Sequence, residues 1–135
     1  MTTPQTSGLL EAALYTDDLT AAEQFYGDAL GLPVVMKMEG RHVFFRVGQT
    51  ILLVFDPEGT ENPGDGKIAA PPHGARGPGH ACIGSDDLAA WEAHLDAAGV
   101  EIERRLTWPN GARSIYFRDP AGNSLEIAEP KLWNS

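Results

Sequence analysis

A single cysteine, Cys82, stands in the whole chain, which excludes an intramolecular disulfide and fits a reducing compartment. No apolar run approaches the roughly 20 residues that a membrane-crossing helix needs. Cations are scarce, with 10 Lys and Arg against 19 Asp and Glu and a formal net charge of -9. Such a surface repels nucleic-acid phosphates and anionic lipid, so neither nucleic acid nor membrane is an expected partner. The opening Met1-Thr-Thr-Pro-Gln-Thr-Ser7 lacks the basic and apolar parts of a secretion signal, and the expected location is cytoplasmic. What remains is ordinary globular composition, 42% apolar and 21% charged over 135 residues, enough for one domain with a real core.

The order of the chain predicts an α+β fold built from one unit used twice. Residues 9–15 alternate, with Leu10, Ala12 and Leu14 on one face and Glu11, Ala13 and Tyr15 on the other. Asp17-Asp18 then offers a helix N-cap, and Leu19, Ala22, Phe25, Tyr26, Ala29 and Leu30 follow at helical spacing up to Gly31. Strands are predicted at 33–38, 43–47 and 51–55, giving βαβββ. The second half repeats this order: a strand from His80, a helix capped by Asp86-Asp87 with Leu88, Trp91, Leu95 and Ala98 on one face, then strands at 100–106, 113–118 and 124–128. An Asn110-Gly111 hairpin signal separates the first two of these strands. The copies align directly, Asp17-Asp-Leu19 on Asp86-Asp-Leu88 and Gly40-Arg-His-Val-Phe-Phe-Arg46 on Ala112-Arg-Ser-Ile-Tyr-Phe-Arg118. Unit one is assigned to 8–57, unit two to 80–130 and a short tail to 131–135. Residues 57–79 hold 11 Gly or Pro among 23, so the connector over 58–79 is expected to lack regular structure and to leave the units free to pair within one chain or between two.

Three polar side chains fall where strands should be apolar. Glu11 opens the first strand of unit one, His80 holds the same place in unit two, and Glu126 lies in the last strand of unit two. Small neighbours flank each: Ala13, Cys82, then Ser124 and Ala128. A carboxylate buried alone is costly, and an oxygen–nitrogen–oxygen set is best satisfied around a divalent cation. Each residue has a plainer reading as well: Glu126 as an edge-strand acid, His80 as a core histidine, Glu11 as half of an ion pair. Cys82 reads as a small buried side chain and not as a nucleophile, because nothing near it in sequence lowers its pKa. Trp91, Trp108 and Trp133 read as packing, with Trp108 and Trp133 also candidates for an aromatic rim. Arg41, Arg46, Arg113 and Arg118 are the cations that could grip a ligand oxygen, and His73, in Pro71-Pro-His-Gly74, could close over a ligand. Arg41 and His42 have opposite parity, so at most one of them should face a pocket.

Leu14-Tyr-Thr-Asp-Asp-Leu19 with Phe25-Tyr26 and Leu30-Gly31, Gly79-His80, and Tyr116-Phe-Arg-Asp-Pro-Ala-Gly-Asn-Ser-Leu-Glu126 together resemble the vicinal oxygen chelate superfamily. That superfamily includes glyoxalase I, fosfomycin-resistance transferases, extradiol dioxygenases, methylmalonyl-CoA epimerase and the bleomycin-binding proteins. The resemblance implies paired βαβββ units curved into a cup-like mixed sheet with the helices outside. It also implies a divalent metal (Zn, Ni, Mn, Mg or Fe alike) held by Glu11, His80 and Glu126, and a homodimer acting on a small molecule. It places Glu126 or Glu11 as the catalytic base, and Arg113, Arg41, Tyr116, Trp108 and His73 around the substrate.

Two departures bear on the chemistry. Extradiol enzymes hold iron with two histidines and one carboxylate, and Glu11 stands where the first histidine would be. Glyoxalase I draws a fourth ligand from the last strand of unit one, where Leu52 or Leu53 lies here. The expected function is a glyoxalase-like, metal-dependent lyase or isomerase abstracting a proton beside a metal-polarised carbonyl. A bleomycin-resistance-like protein sequestering an aromatic or cationic ligand is the alternative, and an extradiol-type dioxygenase the third.

Overall fold

Period-two alternation of apolar residues shapes every strand that carries the core. The computed structural model describes residues 3–62 and 70–134. Unit one contains β1 (Glu11–Tyr15), β2 (Val34–Met38), β3 (His42–Val47) and β4 (Thr50–Phe55). Unit two contains β5 (His80–Gly84), β6 (Arg104–Thr107), β7 (Arg113–Arg118) and β8 (Ser124–Ala128). Among the described residues these make two separate four-stranded sheets, ordered β1-β4-β3-β2 and β5-β8-β7-β6. In each, the first pair is parallel and the rest antiparallel. The sheets do not close into a barrel, and the α+β two-unit architecture is as expected from the repeat.

The helices cover one face of each sheet. α1 (Leu19–Ala22) is capped by Asp18, whose Oδ1 accepts from the Ala21 amide at 3.0 Å. It widens into a π-helical stretch, Glu23–Ala29, that ends where the Leu30 amide donates to the Phe25 carbonyl at 2.9 Å. α3 (Leu88–Ala97) is capped in the same way by Asp87. Gly31 and Gly99 close the two helices at positive φ, 78° and 75°. Leu14, Val43, Phe45, Leu52 and Val54 on one sheet and Ile115, Phe117, Leu125 and Ile127 on the other join Tyr26, Leu30, Leu88 and Leu95 in one buried cluster. No helix among the described residues is long and apolar enough to cross a membrane.

A buried polar knot ties the units together. The Asp-Pro-Ala-Gly-Asn turn between β7 and β8 places Asp119, 5% exposed, where its Oδ2 accepts from the Tyr26 hydroxyl at 2.6 Å and from Asn123 Nδ2 at 2.8 Å. Asp119 Oδ1 accepts the Ala121 and Asn123 amides, so both lone-pair sets of the buried carboxylate are used. Asn123 Nδ2 also donates to the Tyr15 carbonyl at 3.1 Å, and Asn123 Oδ1 accepts the Gly79 amide at 2.7 Å. Burial, then the Asp119 carboxylate, push the Tyr26 phenol far above its ordinary pKa and keep it a donor.

Two expectations need correction. The connector starts with a regular element, α2 (Pro57–Glu61). Asp56 Oδ1 accepts the Glu58 amide at 3.0 Å, and Pro57 occupies the first turn, where its missing N–H costs nothing. The central part of the connector, 63–69, lies outside the described residues. The strand expected over 100–106 begins only at Arg104; Val100 and Ile102 ahead of it are partly buried against the core, and the Val100 amide is taken by the Leu95 carbonyl at the end of α3.

Candidate metal and ligand site

The register of the two sheets superposes the repeat residue by residue. In unit two, Cys82, Glu126 and Tyr116 lie side by side across β5, β8 and β7, with His80 opposite Ser124. In unit one the same row is Ala13, Leu53 and Phe44, with Glu11 opposite Ile51. The counterpart of Glu126 is therefore Leu53 and not Leu52, whose side chain is turned to the core. All these residues lie on the sheet face away from the helices.

Glu126 is 5% exposed although its face is open. β8 is an inner strand, and two neighbours claim its carboxylate. Ser114 Oγ donates to Oε2 at 2.6 Å, and Oε1 lies 3.2 Å from His80 Nε2. Behind Ser114, the Trp108 indole Nε1 donates to Ser114 Oγ at 2.8 Å. Trp108, Ser114 and Glu126 thus form one directed chain. The other ring nitrogen of His80, Nδ1, lies 2.8 Å from the Ser124 carbonyl oxygen. A carbonyl can only accept, so Nδ1 carries hydrogen, and the neutral imidazole turns its Nε2 lone pair toward a carboxylate oxygen. Two lone pairs facing each other at 3.2 Å call for a cation between them, either a proton on Nε2 or a metal ion. The residues present thus fit half of a metal site, with the outer support that metal-binding histidines and carboxylates ordinarily have.

Neighbouring groups stay protonated. Desolvation by its neighbours and then the Glu126 carboxylate push the Cys82 thiol up to about 12, which speaks against a nucleophile, but the residue is exposed and not the buried side chain expected. The Tyr116 phenol is raised for the same reasons, burial first and Glu126 second. The His80 ring stacks on that of Tyr116, with centroids 6.3 Å apart and planes 22° from parallel.

A cavity of about 660 Å³ opens in front of His80 and Glu126, walled by Tyr116, Trp108, Leu132 and Trp133. Two pocket residues read from sequence, Tyr116 and Trp108, are there. Three are not. Arg113 has the parity of Ile115 and Phe117, so its side chain leaves toward the helix face, where Nη2 meets Glu129 Oε2 at 3.3 Å. Arg41 precedes β3 instead of belonging to it, so strict alternation does not govern its direction. Its guanidinium lies 5.2 Å from the Phe55 ring centroid and donates to His42 Nδ1 at 2.8 Å, so Arg41 and His42 converge after all. His73 lies on the open face of unit one, hydrogen-bonded to the Tyr15 hydroxyl at 2.7 Å and edge-on to Phe55.

Glu11, exposed on that same unit-one face, does not join His80 and Glu126. Among the described residues no group of three or more His, Cys, Asp or Glu is placed to hold a metal ion. Trp133 is not packing: it is 84% exposed. Ser114 was missed from sequence. Its signal was present, a lone small polar residue sharing the parity of Tyr116 in a strand of large side chains.

Residues 8–127 match the model of the Glyoxalase/Bleomycin resistance protein/Dioxygenase superfamily. The chain belongs to this superfamily. A crystal structure described as lactoylglutathione lyase from Agrobacterium tumefaciens is 45% identical, with 96% of this chain and 98% of that one covered and a TM-score of 0.89. An integron cassette protein from the mobile metagenome of V. cholerae is 23% identical over 96% and 99% of the two chains, with a TM-score of 0.71. A glyoxalase/bleomycin resistance protein/dioxygenase from Nocardioides is 24% identical over 94% and 85%, again at 0.71. These last two speak for the fold alone. No curated protein matches. The family membership and the first of these likenesses support a glyoxalase-like function for the chain.

Proposed function

We propose that this glyoxalase-superfamily chain is a metal-dependent lyase or isomerase whose centre is completed by a second copy of itself. The observation that carries this reading is the His80–Glu126 pair, with Nδ1 engaged by the Ser124 carbonyl and Nε2 3.2 Å from Glu126 Oε1. Glu11 occupies in unit one the place of His80 in unit two, so a two-fold pairing that sets the open face of unit one against the open face of unit two brings the third ligand from the other chain. A divalent ion held there would supply Lewis-acid polarisation of a substrate carbonyl.

The remaining roles fall to side chains of the protein. The carboxylate not holding the ion at that point, Glu126 or Glu11, would act as the base that takes a proton from the carbon beside that carbonyl and returns it at the adjoining carbon. Ser114 keeps Glu126 Oε2 engaged throughout, so that carboxylate does not lose its orientation. Tyr116, held protonated, offers a hydroxyl donor to an oxygen that gains charge. The second carboxylate, Glu11, neutralises the ion further and favours a hard metal with oxygen-rich ligands over an oxygen-activating iron centre. Metal analysis of protein purified without chelator tests the reading: about one divalent ion per chain is expected, falling to a small fraction in Glu126→Ala. A wild-type protein that neither retains nor takes up such an ion would sink it.

A further inference from the structure

We infer that the C-terminal turn, with Trp133 at its end, is the anchor by which each chain holds a second copy, and that it seats against the open face of the partner's unit one. The inference rests on the two-chain centre proposed above and names the element that holds that centre together.

The turn is built to stay in place. Glu129, just past β8, is bonded twice to Arg113 of β7: its amide donates to the Arg113 carbonyl at 3.1 Å, and its Oε1 accepts the Arg113 amide at 2.8 Å. Asn110, between β6 and β7, then clamps the Pro130–Leu132 turn, its Nδ2 donating to the Lys131 and Leu132 carbonyls at 3.0 and 3.3 Å. Asn110 is itself held, because its Oδ1 accepts the Ala112 amide at 3.0 Å. The Trp133 amide closes on the Pro130 carbonyl at 3.2 Å. All this fixes the backbone that carries Trp133 and leaves the side chain 84% exposed. An aromatic surface presented on ordered backbone loses little freedom when it is covered, the condition in which a tryptophan contributes most to association.

What covers it follows from where it stands. Leu132 and Trp133 rim the same cavity as His80 and Glu126. A third ligand must come within about 2.0–2.6 Å of the ion, so the surface that brings Glu11 lands on this rim. That surface is the open face of unit one, and much of what it exposes is apolar. Met36 and Met38 stand in register with Phe44 and His42 and share their face. They are 58% and 38% exposed, and Phe44 and Leu53 beside them are only half-buried. Methionine is unbranched, adapts to the shape set on it and makes favourable sulfur–aromatic contacts. Two apolar surfaces, each uncovered in its own chain, therefore meet when the centre is completed.

Sedimentation equilibrium over a dilution series tests this on the full chain. The wild type should be a dimer. Trp133→Ala, a surface change outside the core of either unit, should raise the dissociation constant about 30-fold or more, the mark of a hot-spot tryptophan. Trp133→Phe, which keeps a ring, should recover most of the loss, and Met36→Asp on the receiving face should weaken association as Trp133→Ala does. Fluorescence reads the burial itself. The difference between wild type and Trp133→Phe isolates Trp133 from Trp91 and Trp108, and its emission should shift to the blue as chains associate. A monomeric wild type, a dissociation constant unmoved in Trp133→Ala or in Met36→Asp, or a Trp133 emission that stays that of an exposed indole in the dimer would each overturn the inference. Metal content of the same samples keeps the two readings apart. Association that depends on Trp133 in a protein taking up no divalent ion leaves the anchor standing and removes the metal centre; an ion-loaded protein whose association ignores Trp133 does the reverse.

Discussion

At Ser114 a single hydroxyl decides which oxygen of Glu126 faces the cavity. It is 1% exposed, accepts from Trp108 and donates to Oε2, which leaves Oε1 as the free ligand atom. Ser114→Ala should weaken binding of a divalent ion about 10- to 100-fold, the range seen when the outer support of a metal ligand is lost. Ser114→Thr, which keeps the hydroxyl, should recover most of it. Cobalt(II) titration followed by its visible absorption reads both affinity and a change in how the carboxylate binds, which a loss of packing alone would leave untouched. Cys82 supplies a second check on the local field. With its pKa pushed up to about 12, the thiolate fraction at pH 8 is lower than that of an ordinary cysteine near 8.5 by about 10³. Alkylation by iodoacetamide should be slower by that order. The sign follows from the causes: Glu126→Gln removes the neighbouring negative charge, lowers the thiol pKa and should speed the reaction. A rapidly alkylated wild-type Cys82 would contradict the geometry of the pair.

Helix α2 shows at the scale of an element why composition alone misled. Its density of glycine and proline argued against regular structure, yet Pro57 stands at the one helical position that tolerates it and Asp56 provides the cap. Gly59 has a further reason: a Cβ there would fall 2.6 Å from the Gly40 carbonyl oxygen and 3.0 Å from Arg41 Cα. These are backbone atoms of the turn before β3 and cannot yield cheaply. Gly59→Ala, which in an open helix would stabilise, should instead destabilise by about 1–3 kcal/mol. Thermal unfolding would register this as a melting temperature lower by several degrees, and an unchanged or higher value would show that α2 does not dock there. The strands that carry the core were legible because they present one face to it and one away, so alternation at Leu14, Leu52 and Leu125 reports directly on burial. Glu126 was legible for the same reason, as a charge placed out of pattern. Arg41 was not, because a pattern of two assigns a side only within a strand; Arg113 was legible, since the parity of Ile115 in the same strand turns it away from the cup. The Asp119–Tyr26–Asn123 knot joins residues far apart in the chain, and the turn motif alone did not indicate its partner.

For the whole molecule the question is which surface completes the half-site. Val34, Val35, Met36 and Met38 are exposed large apolar side chains on β2, the strand at one edge of the unit-one sheet and exposed at every residue, while Leu9 and Leu10 lead into β1 at the opposite edge. An apolar edge of that kind is a liability for a lone chain and suits a partner. If the partner is a second copy, each centre takes Glu11 from one chain and His80 with Glu126 from the other. Two inactive variants then rescue each other. In a dimer of one Glu11→Ala chain and one Glu126→Ala chain, both lesions fall in the same centre and the other centre is intact. Random exchange makes half of the dimers mixed, so refolding the two variants together should restore about a quarter of the wild-type metal content, while each variant alone stays near zero. Were Glu11 instead recruited within its own chain, every centre in the mixture would carry one lesion and the content would stay at the level of the separate variants. The two arrangements differ in no residue and in no strand, only in which sheets face each other, so mixed refolding distinguishes them where single substitutions do not.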